Sequence, residues 1–220
     1  MRTLFKALAG AAALAGAATP ALSAISFTVS LTNDQEPSVT IPTTSGGQPR
    51  PVSFGTATVT LNDTATALSF VATIFNIDVT GSQTPDANDN LVAAHIHAGT
   101  TLSATGTYPV VWGFFGSPDN DTNPKQLVVT PFVSGVGGTF SSTWDVSEGN
   151  NTTLTAQLAN LFAGRAYINF HTTQFPGGEI RGNFPPLPEP STWAMMLAGF
   201  AATGVALRFR RRSRQSLETA

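Results

Sequence analysis

Apolar and polar residues alternate along much of the middle of the chain. The segment ISFTVSL (25–31) places Ile25, Phe27, Val29 and Leu31 on one side, and SFGTATVTL (53–61) repeats the pattern. Because successive side chains of a strand point to opposite faces, this period of two predicts half-buried β-strands. Other apolar stretches predict further strands, at 66–78, 91–98, 108–115, 126–133, 138–146, 165–172 and 178–184.

One segment has helical spacing instead. In LTAQLANLFAG (154–164) the apolar residues recur at i, i+4, i+7 and i+8, and Gly164 is placed to end the helix. Turn residues (Gly, Pro, Asn and Asp) fill the gaps between the predicted strands. About eight or nine strands with one short helix predict an all-β domain, either an immunoglobulin-like or Greek-key β-sandwich or a barrel.

The chain begins with a short basic stretch containing Arg2 and Lys6, followed by an alanine-rich apolar run and small residues. This layout is typical of a secretory signal peptide, which we place at residues 1–24. It predicts export, with the Sec translocon as a partner.

The C-terminal segment carries an uncharged apolar run from Trp193 to Leu207, long enough for roughly 22 Å of helix. Such a run is short for a membrane span but can be extended by its flanking residues. A cluster of basic residues beside an apolar run stays in the cytoplasm. This predicts a transmembrane helix that leaves residues 25–190 outside the inner membrane; the cluster consists of Arg208, Arg210, Arg211, Arg212 and Arg214.

The triplet Pro188-Glu189-Pro190, the apolar run and the arginine cluster occur in an order that resembles a PEP-CTERM sorting signal, here residues 188–220. The resemblance implies processing by exosortase, a membrane protease of Gram-negative bacteria. It also implies that the tail is removed and that the protein reaches the cell surface or the extracellular polysaccharide matrix. A plain C-terminal membrane anchor is the alternative.

Charge and cysteine content narrow the function of the segment between these ends. Residues 25–187 hold four of the basic residues and eleven of the acidic ones, a net charge of about −7. A nucleic-acid-binding domain needs a basic surface, so we exclude that function. The chain has no cysteine, which excludes disulfides and thiolate sites. The length of this segment suits one domain.

The chain has three histidines, and two of them, His95 and His97, lie one residue apart on a predicted strand. Strand alternation places both on the face opposite Val92, Ala94, Ile96 and Ala98. The same rule places His171, Glu179 and Arg181 opposite the apolar faces of their own strands. If these polar faces adjoin, the five residues form one cluster, made of His95, His97, His171, Glu179 and Arg181.

Two interpretations of this cluster stay open. The first is a structural hydrogen-bond network, because a neutral imidazole both donates and accepts and an arginine–carboxylate pair can hold a strand. The second is a metal site, in which His95, His97 and His171 bind zinc or copper through three nitrogens. The two Trp residues of predicted strands, Trp112 and Trp144, fit a core position better than a polysaccharide-binding surface.

AHIHAG (94–99), the short helix, YINFHT (167–172) and PGGEIRG (176–182) together resemble the CHRD domain, first described in chordin and found in bacterial exported proteins. The resemblance covers about residues 52–184, within a domain bounded at 25–187, and implies an immunoglobulin-like sandwich or barrel without naming a reaction. No GxSxG motif is present. We therefore expect an exported non-catalytic protein; the alternative is a metal-binding or redox-related one.

Overall fold

The computed structural model describes residues 23–101 and 106–187, and in these ranges the chain forms nine β-strands and one α-helix. The predicted class, all-β with eight or nine strands and one short helix, is confirmed. The strands are β1 (Ile25–Thr32), β2 (Phe54–Leu61), β3 (Ala67–Phe75), β4 (Leu91–Ala98), β5 (Val110–Phe115), β6 (Val128–Pro131), β7 (Gly137–Asp145), β8 (Ala166–Thr172) and β9 (Ile180–Asn183); the helix is α1 (Leu154–Phe162).

The strands form one antiparallel sheet in the order β5-β4-β8-β9-β1-β2-β3-β7-β6. Residues near the two ends of the sheet contact each other, which shows that the sheet curls. Trp112 of β5 stacks on Trp144 of β7, with ring centroids 5.9 Å apart and an interplanar angle of 8°. The two halves therefore face each other across one hydrophobic core, as in a sandwich or barrel.

Aromatic side chains from both halves fill this core. Phe114 lies 4.6 Å from Phe70 and Phe140 lies 5.4 Å from Phe170, measured between ring centroids. Trp112 and Trp144 are fully buried, so they are core residues rather than a surface for sugars. Large aromatic rings contribute the most buried apolar area per residue, which helps a domain without disulfides to remain folded.

Strand alternation predicts the core face of β4 correctly, except at its start. Ala94, Ile96 and Ala98 are buried in the core, but Val92 is 44% exposed. The register against β8 shifts between Leu91 and Ala93, so the strand carries an extra residue there. A bulge of this kind turns one side chain to the opposite face. The prediction that Val92 shares the apolar face was wrong for this reason.

The helix α1 has the ends that its sequence predicts. The Thr153 side chain accepts a hydrogen bond from the backbone N–H of Ala156, and Gly164 follows the helix with φ of 67°. Leu154 and Leu161 are buried. The polypeptide then enters β8, which places Tyr167, Asn169 and His171 on the outer face of the sheet.

The predicted signal peptide (1–24) lies almost wholly outside the described residues, and the predicted sorting segment (188–220), with its transmembrane helix, lies entirely outside them. Within the described part of the chain, no helix is both long and apolar enough to cross a membrane.

Candidate functional site

Neighbouring strands β4 and β8 bring the three histidines together on the outer face of the sheet. Their register pairs His95 with Asn169, His97 with Tyr167 and Ala93 with His171. The ring centroid of His95 lies 4.8 Å from that of His171 and 5.7 Å from that of His97. His97 and His171 are 5.8 Å apart by the same measure. The three rings therefore form a compact triangle, which we call the histidine triad.

The triad is buried although it lies on the outer face of the sheet. His95, His97 and His171 are only 5%, 7% and 6% exposed. Three connecting segments contribute backbone carbonyls that contact the rings, at Tyr108 before β5, at Ser117 after β5 and at Pro176 after β8. The triad thus lies between the sheet and these loops, where an unmet hydrogen-bonding group is costly.

Each histidine donates one N–H to one of these carbonyls. His95 donates through Nε2 to Ser117 O at 3.0 Å, and His97 donates through Nδ1 to Tyr108 O at 2.8 Å. His171 donates through Nδ1 to Pro176 O at 2.9 Å. Because a carbonyl oxygen can only accept, each contact fixes which ring nitrogen carries the proton.

The other ring nitrogen of each histidine carries no proton, and the lone pairs of these three nitrogens face one another. His95 Nδ1 lies 3.2 Å from His171 Nε2, and His97 Nε2 is buried with no hydrogen-bond partner among the described residues. One ring nitrogen from each histidine lies within 4.8 Å of the other two. The three carbonyls already use the three protons that neutral imidazoles carry. The close His95–His171 contact therefore has no proton left to bridge it.

Burial opposes the addition of a fourth proton. It lowers the pKa of His95 from 6.5 to about 4 and the pKa of His97 to about 3. It also lowers the pKa of His171. Charging a buried ring costs desolvation energy, which explains all three directions. At neutral pH the triad is thus a set of three neutral imidazoles, the form in which histidine binds a metal ion.

Gly113 of β5 allows the Ser117 carbonyl to reach His95. A Cβ atom at this position would lie 1.8 Å from the carbonyl oxygen of Pro118 and 3.1 Å from Cδ2 of His95. The loop also bonds to the Gly113 backbone, through Asn120 N to Gly113 O at 2.7 Å. Sequence reasoning missed this residue, because a lone glycine in an apolar strand does not reveal which segment approaches it.

Arg181 lies on the same face as the triad but is separated from it by Tyr167. The Tyr167 ring stacks on His97 at 4.7 Å with an interplanar angle of 9°, and Arg181 Cζ lies 3.5 Å from the centroid of the same ring. Because β8 lies between β4 and β9, Tyr167 of β8 lies between His97 of β4 and Arg181 of β9. Arg181 also donates to Asn183 Oδ1 and to Gly106 O, both at 2.8 Å.

Glu179 belongs to a third group. Its carboxylate pairs with Arg50, Nη2 to Oε2 at 2.5 Å, and accepts from the hydroxyls of Ser53 and Thr172. His95, His97, His171 and Arg181 share the outer face of the sheet, whereas Glu179 lies just before β9 with partners of its own. The five predicted residues therefore do not form one cluster, which corrects that expectation. Alternation fixes the face of a side chain, whereas the segment that covers the face supplies its partners.

Two residues near these groups with buried side chains, Glu36 and Arg50, were not predicted from the sequence. Glu36 is buried beside Asn169, whose Nδ2 donates to Glu36 Oε1 at 3.1 Å, and burial raises the Glu36 pKa to about 7 although Arg181 opposes this. Arg50 is one of only four basic residues in 25–187. Since a buried acid needs a partner, that scarcity could have singled out Arg50 as a partner for Glu179.

The fold and the site define an all-β domain with a buried three-histidine cluster beneath its loops. The chain belongs to the CHRD domain family, since the family model matches residues 27–184, more than half of the chain. A second model, the PEP-CTERM protein-sorting motif, matches residues 186–212. Both resemblances predicted from the sequence are confirmed. Comparisons with curated proteins and with solved structures gave no match.

The sorting-motif match contains Pro188-Glu189-Pro190 and every arginine of the tail cluster except Arg214. The motif indicates export, transient anchoring in the inner membrane, processing by exosortase and final location at the cell surface or outside the cell. The CHRD domain that carries the triad is therefore exposed to the extracytoplasmic environment.

Proposed function

We propose that the mature protein is a non-catalytic surface or matrix protein whose CHRD domain binds one zinc or copper ion through His95, His97 and His171. We also propose that the protein is exported through the Sec translocon and that a polysaccharide of the surrounding matrix is one of its partners. The metal ion would be held by His95 Nδ1, His97 Nε2 and His171 Nε2, the three nitrogens that the carbonyls leave free.

The observation that carries the proposal is the arrangement of three hydrogen-bonded tautomers around converging lone pairs. A histidine that binds a metal almost always donates its other N–H to a carboxylate, a carbonyl or water, which orients the ring. Two nitrogens that bind one ion at 2.0–2.1 Å lie about 3.3 Å apart for a tetrahedral angle and about 3.5 Å apart for a trigonal one. The 3.2 Å between His95 Nδ1 and His171 Nε2 is close to both values.

A purely structural network accounts for the same contacts less well. Such a network needs a proton between His95 and His171, and that proton must either leave a carbonyl without a donor or charge a buried ring. A bound cation satisfies all three lone pairs at once. The near-complete burial of the triad supports holding an ion rather than presenting it to a substrate, and this is why the proposal is non-catalytic.

The test is metal analysis of the processed protein, purified from the cell surface or medium of its host. We expect one zinc or copper ion per chain, and loss of that ion in His97→Gln. The matched control is Asn169→Ala, on the same face of β8 two residues from His171, which contacts Glu36 and leaves all three rings in place. Its metal content should equal that of the parent protein.

Nitrogen-15 NMR of the metal-free protein gives an independent readout. We expect three neutral rings, with the proton on Nε2 of His95 and on Nδ1 of His97 and His171. Addition of the metal should shift the three unprotonated nitrogens. A protein that binds neither zinc nor copper, or a proton shared between His95 and His171, would leave the structural network as the correct interpretation.

A further inference from the structure

The triad offers an incoming ion three neutral ligands and no anionic one. The group of metal-ligating side chains at this place consists of the three histidines alone, without a carboxylate, within the described ranges 23–101 and 106–187. No thiolate is possible, because the chain has no cysteine. An ion bound by this set would therefore keep its full charge, since neutral imidazoles neutralise none of it.

A buried cation close to the triad adds to this effect. Arg181 Cζ lies 3.5 Å from the centroid of the Tyr167 ring, and the same ring stacks on His97. Of the buried acids on this side of the domain, Glu179 is paired with Arg50, with their charged atoms 2.5 Å apart. Glu36 is hydrogen bonded to Asn169, and burial suppresses its charge by raising its pKa to about 7.

The cost of moving an ion from water into such a site depends on the square of its charge. A dication therefore costs about four times as much as a monocation of the same size before its ligands offset the cost. A site without anionic ligands thus favours a monovalent ion over a divalent one. Copper(I), zinc(II) and copper(II) all accept imidazole ligands, and of the three only copper(I) is monovalent.

Coordination number favours the same ion. Zinc sites are almost always four-coordinate, either with four protein ligands or with three and a water. Copper(II) prefers tetragonal surroundings, which also need more than three ligands. Copper(I) has a filled d shell and accepts three ligands in a plane. The triad supplies three nitrogens, and its rings are 5–7% exposed, which leaves little access for added water.

We propose that the triad is a copper(I) site, selected over zinc(II) by its neutral ligand set and by the positive charge of Arg181. This inference rests on the proposed function, because it names the ion that the same three histidines bind. It adds that Arg181, which does not touch the triad, sets the choice of ion from the far side of Tyr167. The domain would then capture copper in its reduced state outside the inner membrane.

The experiment compares affinities on the processed protein after its own metal has been removed. Copper(I) is titrated without oxygen against a coloured copper(I) chelator, and zinc(II) is titrated against a coloured zinc chelator. We expect one copper(I) per chain and a copper(I) affinity about 100-fold or more above that for zinc(II). X-ray absorption of the copper form should show three nitrogen neighbours and no oxygen.

Arg181→Met tests the charge argument with a side chain of similar length. It should raise zinc(II) affinity about 10-fold and copper(I) affinity about 3-fold, because the removed repulsion is twice as large for a dication, so the ratio of the two affinities should fall about 3-fold. Arg165→Met is the matched control, since it removes an arginine whose side chain bonds to Asn160 of α1 and not to the triad, and it should leave the ratio of affinities unchanged. Thermal unfolding of the metal-free variants confirms that each is folded.

The outcomes separate this inference from the proposed function. Tighter binding of zinc(II) than of copper(I), or an unchanged ratio of affinities in folded Arg181→Met, overturns the copper(I) assignment and leaves the metal site standing. Failure to bind either ion overturns both. Loss of both ions in His97→Gln, together with the expected ratio in the parent protein, supports both.

Discussion

Glu179 forms its ion pair with Arg50, 129 positions away in the chain, and not with Arg181, two positions away. Both partners are almost fully buried, with side-chain exposures of 6% for Arg50 and 0% for Glu179. Arg50 also donates to Asn76 O at 3.1 Å. The pair therefore ties the long connection between β1 and β2 to the segment that leads into β9, beside the loop that covers His171.

Removing Arg50 should destabilise the domain strongly, because Glu179 would keep a buried charge without a partner. We expect Arg50→Met to lower the free energy of unfolding by about 3–5 kcal/mol. The double variant Arg50→Met/Glu179→Gln carries no buried charge here and should recover a large part of that loss. Urea denaturation of the metal-free mature protein measures both values.

Lys125→Met is the control for this comparison, since Lys125 pairs with Asp119 on the surface. Exposed pairs of this kind contribute less than about 1 kcal/mol, so the variant should unfold like the parent. If the loss of unfolding free energy in the double variant equalled the sum of the losses in the two single variants, Arg50 and Glu179 would not be energetically coupled.

Glu36 should give the domain a distinct pH dependence. Burial raises its pKa from 4.5 to about 7 in the folded protein, so the folded state holds its proton more tightly than the unfolded state. Protonated Glu36 therefore stabilises the folded state relative to the ionised form. This stabilisation is complete below pH 4.5 and is lost as the pH rises to about 7. The loss amounts to about 2–3 kcal/mol.

Glu36→Gln isolates this contribution, because the amide resembles the protonated carboxyl and does not titrate. The difference in unfolding free energy between the variant and the parent should grow in favour of the variant between pH 4.5 and 7, then stay constant. The buried histidines titrate in both proteins, so their effect cancels in the difference. A difference that does not change with pH would show that Glu36 ionises normally.

Much of this fold follows from the alternation of residue types. The apolar stretch at 91–98 predicted β4 with its observed bounds, although alternation within it failed at Val92, and the helical spacing at 154–164 located α1. The same alternation placed His95, His97 and His171 on one side of the sheet, although it could not show that β4 and β8 are neighbours. Strand order depends on connections between distant segments, and the pattern within a strand does not record them.

What covers the outer face was not predictable in the same way. The carbonyls of Tyr108, Ser117 and Pro176 that orient the triad are backbone atoms, which any residue would supply. Arg50 comes from a segment without regular alternation, so no pattern placed it beside Glu179. The bulge at Val92 likewise follows from the local register of two strands.

Processing of the tail should be visible in the mass of the exported protein. In a host with exosortase, the released protein should lack Trp193–Ala220, because the matched sorting motif covers residues 186–212. Substituting alanine for Pro188, Glu189 and Pro190 together should retain the uncut protein in the inner membrane. Intact mass spectrometry of both fractions measures this. A released protein that still contains the apolar run and the arginine cluster would contradict the assignment.

Gly113 should be essential to the histidine triad even though it contributes no side chain. A methyl group there would lie 1.8 Å from the Pro118 carbonyl oxygen, so Gly113→Ala must push the loop and its Ser117 carbonyl away from His95. Overpacking of this kind costs about 1–3 kcal/mol, and loss of a partner that orients a metal-binding histidine lowers metal affinity about 10–100-fold. Gly177→Ala is the matched control, because a Cβ at Gly177 meets nothing within 4 Å. Metal titration of the two folded variants decides the matter: equal affinities would mean that the Ser117 carbonyl does not orient His95 for binding.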